Sequence, residues 1–256
     1  MPPAHANTDI AITDDGAILR IHLTRPAKRN ALTSAMYAAI ADALENAADD
    51  GTTRVVIFSS EGPLFTAGND LLDFMNNPPA GENSPVSRFL HGIATSPLIL
   101  IAAVQGRAVG VGTTMLLHCD FVVAAQNAEL HMPFVDLALV PEAASSLLLP
   151  RLLGHQRAAR LLMLGEICSA SNALALGLVS ELAAPEDLLT AAEALAQRLL
   201  AKPASALRAS KALMKPDHAP VLAHMKTEAA HFSAQLASPE FHANAAAFFA
   251  NKSKAS

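Results

Sequence analysis

Apolar and polar residues alternate along residues 9–24. Ile10 and Ile12 precede Asp14-Asp15-Gly16, a turn whose glycine tolerates a positive φ, and Ile18, Ile21 and Leu23 follow. This spacing predicts a β-hairpin. The period then changes. Behind Thr33 or Ser34, either able to cap a helix, Met36, Ile40, Leu44 and Ala47 recur on one helical face. Residues 55–58 and 98–104 are apolar almost throughout, which predicts strands buried on both faces. Between them, residues 67–70 read as a loop entering a helix, and residues 76–85, polar and rich in Pro and Gly, predict a mobile loop.

Strand, glycine turn and helix recur at about Val55, Ile99, Phe121 and Leu178, the rhythm of an α/β fold. Ser169 and Ser171 offer caps for a short helix that Gly177 ends. From Glu186 onward strand signals stop. Helices are predicted over 187–200, 203–214, 221–236 and 239–250, punctuated by Pro203, Pro216, Pro220 and Pro239. The run 243–250, with Phe248 and Phe249, is apolar on more than one side and predicts an oligomer contact.

Composition narrows the function. With 256 residues, 52% of them hydrophobic, the chain has material for a large buried core. A net charge of -5 without a Lys/Arg-rich block argues against nucleic acid or an acidic membrane face as partner. A phosphate-bearing ligand would meet a few local cations, with Arg25, Lys28, Arg29 and Lys252 as candidates. Cys119 and Cys168 lie far apart among apolar neighbours, as in a reduced protein. No basic-then-apolar leader and no membrane-length apolar run is present, so a cytoplasmic location is expected.

The chemistry-bearing stretch is 105–146. Gly106, Gly110 and Gly112 precede an apolar helix start, where backbone N–H groups can approach a ligand and the helix dipole favours negative charge. Pro141-Glu142 places a carboxylate directly behind an apolar segment. That acid is either a dipole-favoured helix start or a base in a cleft. Other chemistries fit less well. Gly110-Val111-Gly112 lacks the third glycine of a dinucleotide fingerprint, and no G-x-S-x-G elbow exists. His118-Cys119-Asp120 are adjacent, cannot converge on one metal from a regular element, and have no second cluster to complete a site.

Four motifs in order resemble the enoyl-CoA hydratase/isomerase (crotonase) superfamily: FTAGNDL at 65–71, AVQGRAVGVG at 103–112, CDFVVAA at 119–125 and VPEAASS at 140–146. The resemblance runs from residue 9 to about 252. It implies an α/β spiral of ββα units over 1–195, carrying an acyl-CoA site. A helical C-terminal region over 196–256 would trimerise, giving a homotrimer or a dimer of trimers. Coenzyme A would be part of the substrate, with no separate cofactor and no metal.

The resemblance also implies roles. The N–H groups of Ala67 and Val111 would hold the thioester oxygen, with Gly68, Asn69, Asp70, Leu71 and Gly110 around the substrate. Lys28 or Arg29 would meet the CoA phosphates, and Phe249 and Lys252 would reach a neighbour's nucleotide. Where family hydratases carry two glutamates this chain has Thr114 and Phe134, and neither can act as a base. Glu142 falls where peroxisomal-type Δ3,Δ2-enoyl-CoA isomerases keep their single catalytic glutamate. Isomerisation with Glu142 as acid/base is the leading expectation. The alternatives are another crotonase chemistry, including hydration through Asp70 or Asp73, and CoA binding without turnover.

Overall fold

The computed structural model describes residues 9–79, 81–215 and 217–254, with side chains described through residue 246. The expected hairpin forms from β1 (Ile10–Asp14) and β2 (Ile18–Leu23), antiparallel with Ile12 opposite Ile21. Asp15 Oδ1 accepts the Ala17 and Ile18 amides across the turn, and Gly16 sits at φ +86°. In α1 (Ser34–Asp49) the Thr33 hydroxyl accepts the Met36 amide as N-cap, and Tyr37 joins the predicted stripe in the interior. β3 (Val55–Ser60) is buried along its whole length. The short α2 (Leu71–Asn76) follows, then α3 (Pro85–Thr95), capped by Ser84.

From β4 (Ile99–Val104) the chain begins to wind. It contributes β5 (Arg107–Val109) and the single turn α4 (Val111–Thr114), then β6 (Phe121–Ala125) and β7 (Glu129–His131). α5 (Ser145–Leu153) and α6 (His155–Met163) lead to β8 (Cys168–Ser169), α7 (Ala170–Ala175) and β9 (Glu181–Ala183). α8 (Leu188–Leu200), α9 (Ala204–Met214), α10 (Ala219–Leu236) and α11 (Pro239–Lys254) complete it. One sheet runs β1-β2-β3-β4-β6-β9, parallel from β2 onward, and a second runs β5-β7-β8. Successive turns thus drop one strand into each sheet, β4 then β5, β6 then β7.

Both faces of the central strands β3, β4 and β6 are covered, which is why they read as largely apolar runs. Leu19, Ile21, Val56, Phe58, Leu100 and Ala102 face α1 and α3. Their sequence neighbours Ile18, Val55, Ile57, Ile99 and Ile101 face Ala192, Leu195 and Leu199 of α8. Each such side chain contributes about 1.5–3 kcal/mol on full burial. Residues 195 and 196, the expected end of the core, lie inside α8 and pack on the strands.

α9 is tied to the sheet by charge. Lys211, 8% exposed, donates to Asp120 Oδ2 at 2.7 Å and to the Leu98 carbonyl, and Asp120 also accepts the Leu100 amide. That pairing is what keeps a buried lysine tolerable. Among the described residues no helix is long and apolar enough to cross a membrane. The side chains of residues 247–250, Phe249 among them, and of Lys252 lie outside those described, so the oligomer contact expected of the apolar run is not reached.

Candidate active site

Two loops lie side by side because glycine lets them. The Val109 amide donates to the Thr66 carbonyl at 3.0 Å, and the Thr66 hydroxyl donates to the Asn30 carbonyl at 2.6 Å. A Cβ at Gly68 would stand 2.8 Å from the Val109 carbonyl oxygen, and one at Gly112 only 2.3 Å from Thr66 Cγ2. Gly68 is also at φ +85°, a conformation costing other residues about 1–2 kcal/mol. Gly68→Ala is therefore expected to lower stability by more than about 1 kcal/mol, since strain and clash add. Urea denaturation checks this, and an unchanged midpoint would contradict it.

The Ala67 amide does not serve the site as expected. It donates to the Arg29 carbonyl at 2.9 Å and is taken up within the backbone. The extended alternation breaks at Gly68. Leu32 donates to the Gly68 carbonyl at 2.8 Å, and Asp70 donates to the Leu32 carbonyl at 2.9 Å. Those bonds hold the chain on either side of Asn69, so its own N–H turns away from Leu32 and finds no acceptor among the described residues. Across the junction, Gly110 at φ 55° starts α4, and the Val111 amide likewise has no acceptor among the described residues. The free pair is Asn69 and Val111, with the Phe134 ring beside Gly110.

Glu142 stands next to Asn69. Its Oε1 lies 3.4 Å from Asn69 Nδ2, and the Tyr37 hydroxyl donates to Asn69 Oδ1 at 2.5 Å, which fixes the amide so that its NH₂ faces the carboxylate. Tyr37 lies in the interior, where burial lifts its pKa well above the usual phenol value and keeps it neutral. Glu142 is 7% exposed, and its pKa is raised to about 7. Burial is the main cause, and the Glu228 carboxylate adds to it while the Asn69 bond opposes it.

The turn bearing Glu142 is not the helix start its sequence suggested. α5 begins at Ser145, after Ala143 and Ala144, both left-handed at φ 59° and 55°. Two such alanines store about 1–2 kcal/mol each, so the turn needs outside support. His118 supplies part of it, its Nε2–H donating to the Ala143 carbonyl at 2.8 Å. Burial pulls the pKa of His118 down to about 4, so the ring is neutral.

The spare acids are engaged elsewhere. Asp70 pairs with Arg25 at 2.8 Å and caps α2, and Asp73 accepts the Ser34 amide and hydroxyl at 2.6 and 2.7 Å. Burial would raise the pKa of Asp70, but Arg25 and the α2 amides hold it below the ordinary value. Arg25 is half-buried in ion pairs with Asp9 and Asp70, which removes it from the candidate phosphate ligands. Lys28 and Arg29 are exposed at the end of the turn Pro26–Lys28, and Leu71 opens α2. Thr114 is buried in α4. No group of three or more His, Cys, Asp or Glu among the described residues is arranged to hold a metal.

Sequence reasoning missed Tyr37, His118 and Glu228. Glu228 left a signal, since it interrupts the buried stripe with Phe232 and Leu236 on α10. A cavity of about 1140 Å³ opens between α1, α3 and α10, with Leu44, Phe74, Val86 and Phe232 on its walls and Glu142 and Glu228 at one side.

A family matches the whole arrangement. The enoyl-CoA hydratase/isomerase family aligns with residues 13–256. The chain belongs to that family. Enoyl-CoA delta isomerase 3, peroxisomal, of Mus musculus is 36% identical over 186 residues, covering 70% of this chain and 58% of the mouse protein. The chain thus spans little more than half the length of that relative. Crotonyl-CoA hydratase of Syntrophomonas wolfei is 33% identical, covering 81% of each chain. The structure of Pseudomonas aeruginosa OdaA superposes with a TM-score of 0.90 at 45% identity, covering 94% of this chain and 98% of that one. The two-sheet spiral is accordingly the crotonase fold, and the Asn69–Val111–Glu142 cluster is the candidate active site of this family member.

Proposed function

We propose that the chain is an acyl-CoA enzyme that moves the double bond of a 3-enoyl-CoA to the 2-position, with Glu142 as sole acid/base. The observation that carries this reading is a buried carboxylate whose only side-chain donor among the described residues is Asn69, with pKa raised to about 7, beside two unpaired main-chain donors. Ionised Glu142 takes a proton from C2, and the C2–H electron pair delocalises onto the thioester oxygen. The Asn69 and Val111 N–H groups hold that oxygen, each donor being worth about 3–4 kcal/mol of barrier. The thioester carbonyl then re-forms, the C1–C2 electrons of the dienolate become the C2–C3 double bond, and the C3–C4 π pair takes the proton from the Glu142 carboxylic acid at C4. The product is conjugated, and neither water nor an added cofactor is consumed. In this reading Lys28 or Arg29 meets the CoA phosphates and Phe134 keeps the pocket dry.

Hydration is the runner-up because relatives include a hydratase. It needs a second acid or base to position water. Asp70, Asp73 and Glu228 are each held by other donors, which favours the single-acid chemistry. The test is to supply 3-hexenoyl-CoA and 2-hexenoyl-CoA separately and follow the ultraviolet absorbance of the conjugated thioester. Growth from the first with no loss from the second is the expected result. Loss from the second alone would make the chain a hydratase, and binding without change in either would make it a CoA-binding protein.

The pH dependence follows from the same carboxyl. Glu142 must be ionised to accept the C2 proton, so kcat/KM should rise with pH and level off above about 7. A rate that already levels off near pH 4–5, the ordinary range of a free glutamate, would contradict the buried setting.

A further inference from the structure

Glu228 also lines the cavity, is 6% exposed, and comes from α10, far along the chain from the reacting cluster. It is fully engaged. Oε2 accepts the Ala144 amide at 2.6 Å, and Oε1 accepts the Ser146 amide at 3.0 Å and the Ser146 hydroxyl at 2.5 Å. His224 Nε2 lies 2.8 Å from the same hydroxyl and 3.6 Å from Glu228 Oε1. A carboxylate so held is poorly placed to move protons. Its bonds reach the residues that follow Glu142, among them one of the two left-handed alanines. His118 grips the other alanine through its carbonyl, so the turn is held at both strained residues.

We propose that Glu228 is a positioning residue of the reaction: from α10 it clamps the Ala143–Ala144 turn and thereby holds the Glu142 carboxylate against Asn69. The inference rests on the isomerase reading for its kinetic consequences. Burial raises the pKa of Glu228 itself, opposed by the Ser146 and Ala144 donors and by His224; once ionised, the clamp also acts by charge, since an anion behind the turn disfavours a second anion at Glu142. The other groups around the pair are Tyr37 on α1, His118, and His224 on α10, with Glu45, Asp49, Arg88, His91, Glu82 and Lys226 along the cavity. Tyr37 and His118 are neutral, Arg88 pairs with Asp42 and Glu45, and Lys226 pairs with Glu82. Glu228 is therefore the nearby charge whose removal Glu142 should register.

The test compares wild type, Glu228→Gln, Glu228→Asp and Ser146→Ala in the full chain. Glu228→Gln should lower kcat toward 3-hexenoyl-CoA by about 10²-fold through misplacement of Glu142, with KM little changed. It should also move the rise of kcat/KM to lower pH. Glu228→Asp keeps the charge and shortens the reach, so kcat should fall while the rise stays in place. Ser146→Ala, the mildest change, gives a smaller loss of kcat and guards against a misfolded Glu228→Gln. Carboxyl-carbon NMR of Glu142 reads the same shift without turnover. An unmoved Glu142 midpoint in Glu228→Gln, or unchanged kcat in both it and Ser146→Ala, would overturn the clamp. Wild type inactive on 3-hexenoyl-CoA would overturn the isomerase reading instead, leaving the NMR comparison to decide the clamp.

Discussion

Replacing Glu142 by Gln is expected to lower isomerisation of a 3-enoyl-CoA by about 10²–10⁴-fold, the range for losing a positioned acid/base. The same variant should be more stable than wild type at neutral and alkaline pH. Burial holds the carboxyl at about 7 against an ordinary 4.5, so the folded protein binds this proton more tightly than the unfolded chain. The stabilising share is present in full below pH 4.5 and is lost as pH rises through 7. Above that, ionised Glu142 costs about 3 kcal/mol by the usual conversion of a pKa difference. Glutamine keeps an acceptor for Asn69 and removes the charge. Higher activity loss with higher stability is the signature of a site strained for function. A variant that is both inactive and less stable at pH 8 would point to an ordinary structural role for Glu142.

Val111→Pro is expected to lower kcat by about 10²–10³-fold, the effect of removing one oxyanion donor. The substitution suits the position. Val111 is the first residue of α4, where proline is tolerated, and Gly110 before it already lies outside the helical region at ψ −120°. Val111→Ala keeps the N–H and loses only two methyl groups, so it should stay near wild-type rate. Binding of a saturated acyl-CoA should persist in both. A proline variant as fast as the alanine variant would show that the Val111 amide holds nothing in the reaction.

Much of the fold was legible because its signals are local. β3 opens on the apolar run 55–58 and β4 is apolar throughout, α1 has its cap and stripe, and prolines mark the breaks between the C-terminal helices. β5, β7 and β8 are two or three residues long and owe their existence to pairing, so no periodicity announces them. β9 forms at Glu181–Ala183, beyond the apolar Leu178-Val179, because Val123–Ala125 offers its ladder there.

The site was legible in composition and only partly in geometry. The four motifs located Glu142, Val111 and the 67–70 loop. Which amide of that loop is free depends on Gly68 at φ +85° and on the Arg29 carbonyl arriving from another segment, neither visible in a linear pattern. The free amide expected at Ala67 is at Asn69 for that reason. Tyr37 reaches Asn69 and Glu228 reaches Ala144 through tertiary contacts alone, which no linear pattern announces.

A crystal structure of Glu142→Gln with an intact 3-enoyl-CoA bound tests the central geometry most directly. The thioester oxygen should lie about 3 Å from both the Asn69 and Val111 nitrogens, with C2 and C4 facing the residue-142 side chain. An oxygen bonded to other donors, or a C2 turned away from position 142, would contradict the account.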